Sequence, residues 1–435
     1  MNMKKRALLP VLFIISAVII AATTTSSAVR IIIIGDSTVM TYAASKYPWA
    51  GWGQEIGYYF KTGSVTVINH AVGGRSSRSF VNKGNWASTL ADMQSGDWLF
   101  IQFGHNDRDY TDTTRYTDTA TYKKYLAMYI DSARSKGVHP VLVTPMNMNT
   151  WTDTATKKVR EVFTEGANNY RAAMIHVGDS LKVPVLDLEK KSTLLMDTMG
   201  CGYMTKFHFM GLDTNEYPLY PTGYSDGTHF QEEGSLENAR MITEEIARLS
   251  NDSIIAPLAE ILATRYKSTV SSNLSTGGTI TKSRVFPPGA TVTIKVKPAS
   301  GKTFLYWANA ATGDSITDST RHTYVQDTHD HSFIAFFKGG STVGTSMAPA
   351  AVCHVNKKAG IISAVQHGSF WTVRWSGDGQ NFIIRITDLF GRRIAEKTVY
   401  GKDGSVEISS PTDAFGIRLI SLVRGNDIVD VMKTR

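Results

Sequence analysis

Five short aliphatic runs recur through the first half of the chain, at positions 29–34, 65–68, 98–103, 140–143 and 183–186, with helical patterns between them. Runs of Ile, Val and Leu without polar alternation are characteristic of strands buried on both faces. Residues 121–137 and 157–182 carry helical periodicity, Gly137 stands where a helix C-terminus favours glycine, and residues 232–249 read as a closing helix. Strand alternating with helix demands a parallel sheet covered on both sides. The expected class is α/β, a doubly wound parallel sheet. The chain has 435 residues, 42% of them hydrophobic, enough for a sizeable core and too many for one domain.

The pattern changes after Tyr266. Residues 277–280, 290–296 and 333–337 alternate like short strands and are separated by Pro, Gly and Ser turns. They predict a small all-β module over 267–340. Small residues at 341–349 read as a linker, placed over 341–368. A further series at 371–375, 382–387, 393–399, 406–408 and 418–423 predicts a second β-rich domain over 369–435. The first domain then spans 29–266.

Lys4-Lys5-Arg6, an apolar stretch over 7–22 and the small residues Ser26-Ser27-Ala28 have the layout of a secretory signal peptide over 1–28. Removing it deletes three basic residues and no acidic one, so a net charge of +8 falls to +5. With no dense basic run elsewhere, a nucleic-acid partner is not expected, and neither is stable membrane insertion. The two cysteines, Cys201 and Cys353, exclude a disulfide scaffold and a multi-cysteine zinc module; an oxidising compartment permits a bridge between them, and two unpaired thiols are the preferred reading.

Ligands of doubly wound sheets bind beyond the carboxyl ends of the strands. Gly35-Asp36-Ser37-Thr38 follows the first run, Asn69 to Ser76 the second, and Gly104-His105-Asn106-Asp107 the third; Asp226-Gly227-Thr228-His229 precedes the closing helix. One edge thus collects a nucleophile, oxyanion donors and an Asp–His pair. Ser37 suits attack on an ester carbonyl once His229 takes its proton, and Asp226 would hold the other imidazole nitrogen. The backbone N–H groups of Ser37 and Gly74 and the amide of Asn106 are candidate oxyanion donors. No step needs a metal or other cofactor. Asp36 and Asp107 read as turn-holding residues, His70 and His105 as structural, and Trp52 as core. Trp49 reads as core or as a sugar-stacking wall; Arg75 would meet an acidic sugar or pair locally. Gly223-Tyr224-Ser225-Asp226-Gly227 fits the nucleophile-elbow pattern, but no aliphatic strand feeds it and Ser225 is discounted.

These blocks resemble the GDSL-type SGNH hydrolases, which draw Ser, Gly, Asn and His from four separated segments; the matching positions are Ser37, Gly74, Asn106 and His229. Gly51-Trp52-Gly53-Gln54, Gly74-Arg75-Ser76-Ser77, Phe103-Gly104-His105-Asn106-Asp107 and Asp226-Gly227-Thr228-His229-Phe230 resemble the rhamnogalacturonan acetylesterase-like branch. That resemblance implies a flavodoxin-like sheet and removal of acetyl groups from plant cell-wall polysaccharide, pectin or xylan. Residues 201–224 read as an insert that would remodel the substrate groove. The competing classes are a GDSL lipase or thioesterase, which needs an apolar acyl channel, and a non-catalytic adhesin, which has no use for an intact set of site residues. Residues 277–337 resemble a bacterial extracellular β-repeat. Ile386-Thr387-Asp388-Leu389-Phe390-Gly391-Arg392 and Phe415-Gly416-Ile417 resemble the C-terminal sorting domains of type IX secretion. The implied setting is the outside or outer surface of a Gram-negative bacterium, with secretion machinery as a partner of the last domain.

Overall fold

A computed structural model describes residues 28–155 and 158–338 and, beyond these, segments between 360 and 434. The expected export signal up to residue 27, the linker residues 341–349, Cys353 and Phe415-Gly416-Ile417 lie outside the described residues.

Four of the five aliphatic runs form strands close to their expected bounds: Val29–Ile34, Val65–Asn69, Trp98–Ile101 and His139–Val143. The fifth shortens to Val185–Leu186. In space the sheet runs Val65–Asn69, Val29–Ile34, Trp98–Ile101, His139–Val143, Val185–Leu186, and every pairing is parallel. Both faces are covered. Ile31, Ile33, Phe100, Val141 and Val143 join one buried cluster, whereas Ile32, Ile34, Leu99, Ile101 and Leu142 join the other. A strand of period two needs apolar residues at successive positions only when both faces are dry, which explains the unbroken Ile31–Ile34 run. Each such side chain contributes roughly 1.5–3 kcal/mol on burial. The order reverses at the Val29–Ile34 strand, so the loops after it and after Trp98–Ile101 flank the crevice where ligands settle.

The Thr119–Ser135 helix starts on Asp118, whose carboxylate accepts from the N–H groups of Ala120 and Thr121, and Gly137 follows it with φ +74°. The helix expected over 157–182 is a correction. Only Tyr170–Leu181 is helical, capped by Asn169 on the Ala172 N–H. Before it, Lys158–Val159 pairs with Trp151–Asp153 and Gly166–Asn168 makes a 3₁₀ turn. The apolar residues that mimicked a helical stripe, Val162 and Phe163, are buried from this irregular segment instead. The closing helix is Glu232–Arg248.

The β module comprises a five-stranded and a three-stranded sheet around Val270, Ile294, Val296, Trp307 and Phe333. Its first strand is Tyr266–Ser272. The module is seated on the first domain: Phe286, Ala290 and Val292 belong to the same buried cluster as Ile31 and Phe230. Buried cations fasten this contact. Arg284 Nη1 lies 2.9 Å from Glu233 Oε1, and its Nη2 donates to the Tyr203 hydroxyl at 2.9 Å. Lys295 Nζ donates to the Gln231 side-chain oxygen and, at 3.2 Å, to the Lys206 carbonyl. Residues 201–224, expected to remodel the groove, supply much of this docking floor, with Phe207 fully buried. Further along, seven strands form two sheets that enclose Val373, Trp375, Ile384 and Ile386. One of them, Gly360–His367, falls inside the stretch expected to be linker.

Candidate active site

The chain turns sharply after Ile34, with the Val39 N–H donating to the Asp36 carbonyl at 3.1 Å. Asp36 is fully buried, and its Oδ1 accepts from the Thr38 N–H at 2.9 Å and the Thr38 hydroxyl at 2.7 Å. Its other oxygen lies 3.4 Å from His105 Nδ1. Burial raises the Asp36 carboxyl, but the His105 charge and these bonds outweigh it and hold the group below the usual carboxylate range. Gln102 pins the turn from the neighbouring strand, donating to Thr38 Oγ1 at 2.9 Å and accepting from Trp52 Nε1 at 2.7 Å. Trp52 is core, as expected. Ser37 is therefore carried on a turn held by Asp36 and Gln102 through Thr38, with Asp36 Oδ2 left facing His105 at ion-pair distance.

Gly74 adopts φ +72°, a conformation strained for any residue with a Cβ. Its loop feeds a helix at Ser77–Asn82 through a Ser76–Ser79 capping box. Ser77 donates to Asp107 from both its N–H, at 3.0 Å, and its hydroxyl, at 2.5 Å, so Asp107 ties this loop to the one carrying Asn106. Asn106 Nδ2 donates to the Arg75 carbonyl at 3.0 Å, and Asn106 Oδ1 accepts from Arg115 at 3.1 Å. The amide is thus fixed in orientation, with its second N–H left over. Among the described residues the backbone N–H groups of Ser37 and Gly74 make no hydrogen bond. Arg75 itself pairs locally, with Asn85 Oδ1 at 3.0 Å.

Asp226 and His229 lie on the antiparallel strand Tyr224–Gln231. Residues three apart on a regular strand point to opposite faces. Here the pairing shifts register between Asp226 and Phe230, and that irregularity brings both side chains to one side. Asp226 Oδ1 accepts from the N–H groups of Thr228 and His229, and Oδ2 lies 2.9 Å from His229 Nδ1. Burial raises the Asp226 carboxyl, yet the bonds from the His229 ring and backbone bring it down to about 2, so it stays ionised at neutral pH. His229 Nε2 is 2.8 Å from Ser37 Oγ. Trp49 backs the imidazole with ring centroids 4.6 Å apart and packs, partly buried, against the Met210, Leu212 and Tyr217 cluster. Ser225 is exposed, sits on the strand opposite Gly211, and follows no strand-to-helix elbow.

Ser37, Asn106 and His229 line one cavity of about 410 Å³ together with Arg108, Arg115 and Met148. Sequence reading missed Arg108, Arg115, Gln102 and Asn149, whose N–H bonds the Gly227 carbonyl at 2.8 Å and steadies the strand irregularity. The only available signal was proximity: Arg108 and Arg115 follow Asn106-Asp107 in a loop without periodicity. His70 pairs with Asp92 at 3.0 Å, away from the cavity lining. Among the described residues no group of three or more His, Cys, Asp or Glu is arranged to hold a metal ion, and no helix is long and apolar enough to cross a membrane.

Residues 268–341 match the divergent InlB B-repeat domain. Residues 33–235 match the GDSL-like lipase/acylhydrolase family. The chain is 36% identical over 237 residues to the rhamnogalacturonan acetylesterase RhgT of Bacillus subtilis, covering 54% of this chain and 95% of that protein. It is 34% identical over 221 residues to a probable rhamnogalacturonan acetylesterase, YesY, of the same organism, covering 51% of this chain and 93% of that one. Among solved structures, the protein YxiM of Bacillus subtilis aligns with a TM-score of 0.42 at 24% identity, covering 52% of this chain and 58% of that one. An α/β sheet of this order, the four blocks at its rim and near-complete coverage of two such relatives lead to one assignment: the chain belongs to the GDSL-like lipase/acylhydrolase family, as an ester hydrolase of the SGNH type.

Proposed function

We propose that this esterase removes O-acetyl groups from plant cell-wall polysaccharide, rhamnogalacturonan in the first place, by a Ser-His-Asp acyl-enzyme mechanism. The observation that carries the reading is the unbroken chain from Ser37 Oγ through the His229 ring to Asp226, with spans of 2.8 and 2.9 Å. Ser37 Oγ bonds to the acetyl carbonyl carbon while its proton passes to His229 Nε2. Asp226, ionised, stabilises the imidazolium and keeps its ring oriented. Negative charge gathers on the former carbonyl oxygen, facing the N–H groups of Ser37 and Gly74 and the free N–H of Asn106. The sugar oxygen departs with the His229 proton, leaving acetyl-Ser37. Water, deprotonated by His229, then releases acetate and restores Ser37. The polar lining of Asn106, Arg108, Arg115 and Thr228 favours a sugar over a long acyl chain.

Export is part of the same reading, supported by Lys4-Lys5-Arg6 and the apolar stretch behind them. The last domain would engage type IX machinery, so deleting residues 369–435 should trap the enzyme in the periplasm; normal release refutes that role. The substrate is tested by acetate release from acetylated rhamnogalacturonan, acetylxylan and a long-chain ester. The expected order is rhamnogalacturonan, then xylan, with little on the lipid ester. Preference for the long-chain ester overturns the reading.

A further inference from the structure

Two arginines line the cavity beside Ser37, and they are bonded very differently. Arg115 is engaged by carboxylates: it donates to Asn106 Oδ1 at 3.1 Å and Asp109 Oδ2 at 2.5 Å, and its Nε, though not hydrogen-bonded, lies 3.2 Å from Asp112 Oδ2. Asp109 in turn also accepts from the Thr111 hydroxyl at 2.6 Å. Arg108 has no carboxylate within ion-pair distance among the described residues. Its Nη2 meets only the Met148 sulfur at 3.0 Å, a weak acceptor, and its guanidinium carbon lies 6.0 Å from the Phe163 ring centre. Its Nε is buried and donates to nothing. A half-buried guanidinium left short of acceptors costs stability, because water has been removed and nothing has replaced it. A ligand with two coplanar oxygens would complete it.

We propose that Arg108 reads the carboxylate of a uronate residue held against Ser37. This rests on the polysaccharide reading above and narrows it to acidic chains. On a pyranose uronate the carboxylate is carried on C5, and an acetyl group on C2 or C3 lies on the other side of the ring. One sugar can therefore present its ester to Ser37 and its carboxylate to Arg108 within a single cavity. Arg115 is shared between Asp109 and Asp112, so one negative charge remains near Arg108 and the uronate binds against it through the guanidinium fork. Arg108 acts as a specificity determinant, distinguishing a free uronate from its methyl ester and from a neutral sugar.

The test is competition against 4-nitrophenyl acetate hydrolysis by the full chain. The inhibitors are unacetylated oligogalacturonate, its methyl ester and a xylo-oligosaccharide. In the unmodified enzyme the free uronate should inhibit about tenfold more strongly than its methyl ester. Arg108→Gln should erase that ratio, and Arg108→Lys, which keeps the charge but not the planar fork, should keep part of it. Equal inhibition by the charged and esterified oligomers, no inhibition by either, or an unchanged ratio in Arg108→Gln overturns the proposal. Acetate release from acetylated rhamnogalacturonan, assayed separately, tells this failure from failure of the substrate reading. Release with no Arg108-dependent ratio rejects the uronate contact alone.

Discussion

Ser37 and Asn106 on one side and His229 on the other meet in one cavity, yet they are held by different means. The serine and asparagine ride on loops at the rim of a parallel sheet. Their placement comes from short-range polar bonds, Asp36 to Thr38 and Asp107 to Ser77, above an aliphatic core. His229 rides on an antiparallel strand outside that sheet, and the strand is braced from the second domain. Gln231, two residues further on, receives the buried ammonium of Lys295, while the following helix offers Glu233 and Glu237 to Arg284. The His229 side of the site is thus braced by side chains of the β module, and the Ser37 side by its own loops. The β module is not simply a spacer, because its side chains are part of the esterase interior.

The contrast can be broken from either side. Ser37→Ala and His229→Ala should each lower kcat/KM on 4-nitrophenyl acetate by about 10⁴-fold or more, and the double variant should lose little beyond either. Ser225→Ala should retain most activity, and loss equal to that of Ser37→Ala would reassign the nucleophile. Arg284→Met leaves Glu233 buried without its ion-pair partner, while Glu237 keeps Arg240, and should destabilise the protein by about 3–5 kcal/mol in chemical denaturation. Ile32→Val, in the parallel sheet, should cost only about 0.5–1.5 kcal/mol. Equal effects would mean that the two regions are not differently held. Asn106→Ala should reduce kcat by roughly 10²–10³-fold with a smaller change in KM, the pattern of a donor used mainly in the transition state.

The smallest effect is one of pH. Burial first, and then the neighbouring Glu232, push Glu55 up to about 8; burial raises Glu232 itself to about 7. An acid neutral in the folded protein but ionised when unfolded means that the folded state holds the extra proton. The stability it contributes is full below the ordinary value of 4.5 and is lost as pH rises toward about 8. Denaturation midpoints followed across that window should decline, and decline less steeply in Glu55→Gln. An unchanged slope would show that Glu55 is ionised in the fold.

Much of the parallel sheet was legible because it is written in a local code. Unbroken Ile and Val runs report burial on two faces, and Gly35-Asp36-Ser37 and Gly104-His105-Asn106 follow those runs directly. The misreadings lie where packing overrode periodicity. Residues 157–169 imitate a helical stripe, but Val162 and Phe163 fill space from an irregular segment. The 201–224 insert, without a clear pattern of its own, is drawn into the floor between domains.

Composition, periodicity and motif order determined the class of sheet, the residues at its rim and the separate β-rich tail, since each depends on neighbours a few positions apart. Folding in three dimensions decided what spacing does not encode. A strand irregularity turned Asp226 and His229 to the same side, Lys295 and Arg284 were buried in another domain's interior, and Arg108 was left in the cavity with only a sulfur acceptor. Such contacts join residues far apart in the chain, and their energies depend on the desolvation that packing alone imposes.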